Sequence, residues 1–283
     1  MAGVSMKEIK LRIKSMESTK QITKAMEMVA ASKLRRAQER VENSRPYFEI
    51  LFDTLNTIAN STEDFSSPFL EKREVKKSCY VVIGGDRGLA GGYNHNVFKL
   101  AYSRIEGNNC CVVPIGKKCL EFFRARGVEV LTDAYAVAGD VHVSDCFTVA
   151  KMLSHGFLEG EFDAVSVVYT NFVSMLAQSP AVLDLLPLAY HPRPGDTDTG
   201  CLTLYEPDSV SVFDAIIPEY LGGLIYGALC ESVTSEQGAR RTAMDAATKN
   251  AEDMISNLSL KYNRARQGAI TQEITEIVAG AEH

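Results

Sequence analysis

From about Ser5 to Ile58 the chain reads as one helix almost without interruption, and that length constrains everything else it can fold into. Apolar residues recur at Met6, Ile9, Ile13 and Met16, then at Ile22, Met26, Ala30, Leu34, Ala37 and Val41, and resume at Phe48, Leu51, Leu55 and Ile58. Steps of three and four gather them into one stripe on a helix. Helix formers fill the other faces, and the single proline, Pro46, is expected to kink so long a pattern rather than end it. At about 1.5 Å per residue the segment makes a rod of roughly 80 Å, several times an ordinary globular helix.

The other end repeats the theme. Met244, Ala247, Ala251, Ile255, Leu258, Tyr262, Ala265 and Ala269 step in the same way, after a denser set at Phe213, Ile217, Leu221, Leu224, Ile225, Ala228 and Leu229. Pro218 and the Gly222-Gly223 pair weaken that stretch locally, where a bend is expected. Each terminal helix carries an apolar stripe with no local partner, so the direct solution is an antiparallel coiled coil of the two ends. Two amphipathic helices lying on the middle of the chain are the alternative, and helix length argues against it. Charge agrees: residues 1–58 hold 11 Lys and Arg against 7 Asp and Glu, whereas residues 208–283 hold 6 against 11. Opposite signs favour segments lying side by side.

Between the helices the period changes. Apolar, β-branched runs at Cys79–Ile83, Cys110–Ile115, Val128–Leu131 and Ala164–Tyr169 predict strands, separated by helical segments at Asn94–Ile105, Lys117–Arg126 and Ser144–Leu158. Ser144-Asp145 is a capping signal for the last of these. Alternating strand and helix means a mainly parallel, Rossmann-like α/β domain. Phe172–Leu188 and Cys201–Tyr205 are expected to add later strands, with His191–Gly200 an exposed loop and Ser61–Ser67 a linker. The expected segments are residues 1–60 (N-terminal coiled-coil helix), 61–207 (central α/β domain) and 208–283 (C-terminal coiled-coil helix).

Several function classes are disfavoured. A net charge of −6 gives no warrant for nucleic-acid binding. No stretch reaches the roughly 18 apolar residues that span a bilayer, so membrane association is expected only through partners. The opening residues, with Lys7, lack the apolar run of a signal peptide. Seven cysteines without a CxxC, and five scattered histidines, predict reduced, buried thiols and no metal site.

The run Gly84-Gly85-Asp86-Arg87-Gly88-Leu89-Ala90-Gly91-Gly92 follows a strand and precedes a helix, where an α/β fold would hold a phosphate. Its spacing fails both fingerprints. Asp86 occupies the second glycine of a dinucleotide loop, and Gly91-Gly92-Tyr93 stands where a P-loop needs Gly-Lys-Ser/Thr. The favoured reading is a tight strand-to-helix turn with Arg87 offered to a partner. No G-x-S-x-G and no recognisable Cys/His pairing appears, so neither catalytic residues nor a cofactor are predicted.

At this point the residues identify a family. Ile22-Thr23-Lys24-Ala25-Met26-Glu27-Met28-Val29-Ala30-Ala31-Ser32-Lys33 resembles the N-terminal helix of ATP synthase gamma subunits, and the run from Tyr262 to Val278 (YNRARQGAITQEITEIV) resembles their C-terminal helix. The loop from Asp86 to Gly92 is similar to a third family motif, and the three occur in the family's order. Departures are small: Gly85 and Ala90 stand where Ser and often Cys are usual, and Gly268 where Ala is. Cys201 stands alone in its region, so the cysteine-pair insert of the chloroplast type is absent.

The resemblance implies a bacterial-type, non-catalytic machine part, the central rotor shaft of an ATP synthase peripheral to the cytoplasmic side of the cell membrane. Its coiled coil would enter a hexamer of alternating alpha and beta subunits, and its α/β domain would sit against the epsilon subunit and the ring of c subunits. Proton flow would turn the ring and shaft together, cycling the beta sites. By the same resemblance Lys24, Met26, Arg266 and Gln267 face the moving catch region of beta, although Met26 also suits plain coil core. Asp86 and Arg87 are assigned to the foot, facing epsilon or the ring.

Overall fold

A computed structural model describes residues 6–59, 66–188 and 205–281. Cys201, His283, the His191–Gly200 loop and most of the Ser61–Ser67 linker lie outside them, as does most of the expected strand at Cys201–Tyr205. The elements are α1 (Met6–Ala59), β1 (Ser78–Ile83), α2 (Tyr93–Ile105), β2 (Cys110–Ile115), α3 (Lys117–Arg124), β3 (Glu129–Val130), α4 (Val143–Leu158), β4 (Ala164–Phe172), β5 (Gln178–Leu186) and α5 (Ser209–Ala281). Helix α1 has 54 residues and runs on through Pro46, and α5 has 73 and runs on through Pro218. The chain divides into two compact units, Met1–Ala31 with Arg240–His283, and Ser32–Ala239.

The first unit is a pair of helices. On α1 the less exposed positions include Ile9, Ile13, Met16, Lys20, Thr23, Glu27 and Ala30, and on α5 Met244, Thr248, Ala251, Ile255, Leu258, Tyr262, Ala265 and Ala269. Both sets alternate steps of four and three without a break, the 3.5-residue spacing of a coiled-coil seam. Three sequence assignments change, the first being that the seam runs through Glu27 rather than Met26, both half-buried. Ile22 is 60% exposed and Thr23 takes its place in the seam, while Thr248 lies deeper than its neighbour Ala247. The two threonine hydroxyls meet at 2.8 Å, and Lys20 Nζ lies 2.9 Å from Glu252 Oε1. The helices therefore pair antiparallel.

The second unit is built on a five-stranded sheet of order β3-β2-β1-β4-β5. β1, β2, β3 and β4 are parallel, and β5 runs antiparallel to β4. The strands read as continuous apolar runs because both faces are covered. Val82, Val112 and Val168 point to the face packed by Val97, Phe98 and Ala101 of α2 and Phe123 of α3. Val81, Val113 and Val167 point to the opposite face, joined by Val149 and Leu153 of α4, Leu55 and Ile58 of α1, and Phe213, Ile217, Leu221 and Ile225 of α5. That dense apolar half of α5 holds an 18-residue window of mean hydropathy 1.3, 44% of it buried. By length and composition alone the helix could cross a membrane, which corrects the expectation that no such run exists. Its buried residues are core of the sheet layer.

Local differences from the expected elements are small and physical. β3 keeps only Glu129–Val130 of the expected Val128–Leu131. The N-cap of α4 is His142 rather than Ser144, with the Asp145 carboxylate accepting the His142 N–H at 2.7 Å. The start of β1 is held by Asp163, whose carboxylate accepts the N–H groups of Lys76 and Lys77 at 2.8 and 3.1 Å.

Two glycines of α5 give opposite expectations. Gly-to-Ala in a helix ordinarily stabilises by about 1 kcal/mol. A Cβ at Gly222 would stand 2.2 Å from the Phe147 ring and 3.0 Å from the Phe147 Cα, so backbone as well as side chain must move. Overpacking of that kind costs about 1–3 kcal/mol and outweighs the gain, so Gly222→Ala lowers stability. Gly227, with nothing within 4 Å of its Cβ direction, gives a stabilising Gly227→Ala. Chemical denaturation of the two variants reads both signs. For Asp163, the bonds from Lys76 and Lys77 hold the carboxyl below its ordinary range. A depressed folded value contributes stability above the ordinary carboxylate range, lost as pH falls through the lowered one. Melting temperature followed below about pH 4 should fall less steeply for Asp163→Asn than for the parent chain.

Candidate functional site

The loop between β1 and α2 is fixed from within. Gly84 N–H donates to Ile115 O at 2.8 Å, and Lys118 N–H donates to Gly85 O at 3.1 Å. The Asn94 side chain clamps both arms: its Oδ1 accepts Gly85 N–H at 2.8 Å and its Nδ2 donates to Arg87 O at 3.3 Å. Space dictates the glycines at the tight points. A Cβ on Gly84 would sit 2.6 Å from the Phe98 ring, and Gly116, at φ 105°, would press one into Gly84 O.

Asp86 is the centre of this brace. Its Oδ1 accepts the N–H groups of Lys117 at 3.1 Å and Ala138 at 2.9 Å, and its Oδ2 accepts that of Gly139 at 3.0 Å. The carboxylate thus caps the start of α3 and ties down the 138–139 turn. The N–H groups of Gly84, Gly85 and Lys117 are all engaged by protein atoms. Arg87, by contrast, is exposed. Beside it Leu89 has φ 64° and is 63% exposed. A non-glycine residue in the left-handed region is uncommon, and here it turns an apolar side chain outward.

The predicted helix residues fall in two places. Lys24 is exposed and pairs with Glu27 on its own helix, Nζ to Oε2 at 2.9 Å. Met26 is half-buried next to the seam position Glu27. Arg266 and Gln267 are exposed beside the half-buried Ala265, and Arg266 makes no ion pair among the described residues. Counting along the antiparallel seam from the Thr23–Thr248 pair, Met26 and Arg266 lie roughly 30 Å apart along the axis. The structure does not bring the four together. It sets them at two levels of the helix pair.

Most of the described thiols are quenched by their surroundings, whereas the hydrogen bond with Cys79 draws the buried Cys111 thiol down. Cys79 and Cys111 sit side by side in register on β1 and β2, both fully buried. The hydrogen bond to Cys111, and then burial, push the Cys79 thiol well up. Burial pushes Cys119 well up and takes Cys146 to about 12. Thiols held protonated are poor nucleophiles. Among the described residues no group of three His, Cys, Asp or Glu could hold a metal ion. Sequence reasoning missed the two seam threonines and the Asn94 clamp. Only the strict heptad count pointed to the threonines, and Asn94 left no local signal.

A protein-family model described as ATP synthase matches residues 5–283. The chain is 45% identical to the ATP synthase gamma chain of Alkaliphilus metalliredigens, over 99% of each chain. It is 45% identical to that of Ruminococcus albus over 96% of each, and 39% to the sodium ion specific gamma chain of Acetobacterium woodii over 98% of each. In fold it is similar to a chain of the Euglena gracilis mitochondrial ATP synthase, with a TM-score of 0.65 at 16% identity, covering 97% of this chain and 92% of that one. A chain of the Tetrahymena thermophila central stalk and c-ring gives 0.59 at 21% identity, covering 80% and 99%. Matched from end to end by the family and by its bacterial members, the chain belongs to the ATP synthase gamma chains, the non-catalytic central-shaft subunits of that membrane-bound complex.

Proposed function

We propose that the paired helices of this chain turn inside a hexamer of alternating alpha and beta subunits, while its sheet unit bears on epsilon and the c-ring. The reading places it peripheral to the membrane, on the cytoplasmic side. The observation that carries it is the unbroken heptad spacing of the first unit, with a seam that interleaves alanines and threonines with larger residues, and an exposed apolar surface. Ile270, Ile274, Ile277 and Val278 are 47–70% exposed on the last turns of α5. Exposed apolar side chains slide where ion pairs would hold.

Torque needs firmer points, and the two levels supply different chemistry. Arg266 offers a planar fork of donors to beta carboxylates, with Gln267 a neutral neighbour. At the other level Lys24 and Met26 present a charge already balanced by Glu27 and a pliable thioether. In this reading the shaft acts only through contact energies that differ among the states of the three beta sites. At the foot, Arg87 and the outward Leu89 make the contact, and Asp86 holds the loop that presents them. The division at residues 1–60, 61–207 and 208–283 is retained as the functional one: two helical segments and a foot.

Reconstitution tests the reading. Alpha and beta subunits assembled without this chain should hydrolyse ATP slowly, and adding it should raise the rate severalfold. Removal of residues 264–283 should leave hydrolysis but abolish its coupling to ion transport; a rate indifferent to the added chain refutes the shaft. Within the foot, Asp86→Ala strands three backbone donors and should lower stability by about 1–3 kcal/mol in denaturation. Arg87→Ala should leave stability within about 0.5 kcal/mol and weaken epsilon binding instead.

A further inference from the structure

The first unit contains a polar layer that packing alone does not require. Thr23 and Thr248 are 9% and 6% exposed, with their hydroxyls 2.8 Å apart. Thr248 Oγ1 is also 2.8 Å from Met244 O, and Thr23 Oγ1 is 3.1 Å from Lys20 O. Each hydroxyl has one proton. The shorter of the two backbone contacts gives a directed chain, in which Thr23 donates to Thr248 and Thr248 donates to Met244 O. Lys20 and Glu27, the seam positions flanking Thr23, are polar too. Lys20 reaches Glu252, and Glu27 is held by Lys24.

We infer that this layer is a register lock: the Thr23–Thr248 bond, flanked by Lys20–Glu252, fixes the stagger of α1 against α5. Around this layer the apolar seam discriminates poorly by itself. Its buried members near the layer are Ala30, Met244 and Ala251, two of them small and one pliable. A slip of one heptad keeps the stripes facing; in one direction it sets Ala30 against Thr248 and Ala251 against Glu27, and its packing cost falls farther out, where Ile13 leaves Leu258 for Ala265. Counting outward from the threonine pair, such a slip sets Thr23 against Ile255 or Arg241, and in the first case Lys20 against Leu258. Only the native stagger lets the two hydroxyls bond across the seam. A single buried polar pair that fixes register is a known device of coiled coils. Its consequence for torque rests on the shaft reading, since a pair that slipped would twist without turning its far end; the register itself does not.

Disulfide trapping in the full-length chain reads the register directly. Lys20→Cys with Glu252→Cys reports the native stagger, and Lys20→Cys with Ser259→Cys or Asp245→Cys reports a slip of about 10 Å either way. Peptide mapping by mass spectrometry identifies each cross-link among the native cysteines. In the Thr23→Val/Thr248→Val background, which keeps shape and removes both hydroxyls, the ratio of native to slipped cross-link should fall at least threefold, the scale of one lost hydrogen bond. Thr23→Ser/Thr248→Ser, which keeps the hydroxyls, should hold the parent ratio even if the valine chain misfolds. An unchanged ratio with valine, or slipped cross-links with serine, overturns the lock. The cross-links are read on this chain alone, so their outcome is independent of whether it stimulates alpha–beta hydrolysis.

Discussion

Two terminal helices without local partners are the constraint from which the rest follows. A helix of 54 residues and one of 73 carry apolar stripes that water disfavours, and each finds two kinds of partner along its length. In the first unit the partner is the other helix, and burial is thin. In the second unit it is the sheet, and burial is deep: Ile217, Leu221 and Ile225 are completely shielded. A large aliphatic side chain fully buried contributes about 1.5–3 kcal/mol, an alanine methyl roughly 0.8. Cohesion per turn is therefore concentrated where the helices meet the sheet.

The sheet in turn sets the loop that carries the exposed Arg87 and Leu89. β1 lies between β2 and β4, covered on both faces, so its end is rigid. The loop leaves that end through Gly84, passes a carboxylate bonded to three backbone donors, and enters α2 under the Asn94 clamp. A residue held in so determined a backbone can present its side chain at a fixed angle, which a docking point on a turning part needs. Leu89, in a left-handed conformation that costs a leucine roughly 1–2 kcal/mol, marks where the surrounding bonds dictate the backbone.

The long helices, the parallel strands and the order of elements were legible because hydrophobic period is a local property of sequence. What was out of reach depends mostly on distant atoms. The antiparallel turn of β5 against β4 is a local exception, since the link at 173–177 is too short for a crossover, and it leaves the sheet mainly parallel. Asp86 looked available to a partner, since nothing near it in sequence announces that Lys117, Ala138 and Gly139 aim their N–H groups at it. The seam errors had one cause. Reading only apolar side chains chose Ile22, Met26 and Ala247, whereas the strict four-three count runs through Thr23, Glu27 and Thr248. A threonine in a seam is invisible to hydropathy until its partner across the interface is known.

A seam that is polar or small from Lys20 to Ala30 of α1 still has to hold two helices there, and the sequence answers with support inside each helix. Glu8–Arg12 and Asp245–Lys249 are spaced i,i+4 with the acid nearer the N-terminus, the favourable sense against the helix dipole. Each such exposed pair, screened by solvent, contributes little. Their value lies in acting on the helix alone, without widening the interface. Larger aliphatics would add more burial per layer, but they would separate the backbones and thicken the pair. They would also pack nearly as well one heptad out of step. Around the threonine layer small residues allow close approach and define stagger weakly, and the polar contact adds definition. That combination trades stability for definition, which suits an element that must transmit a displacement rather than resist unfolding.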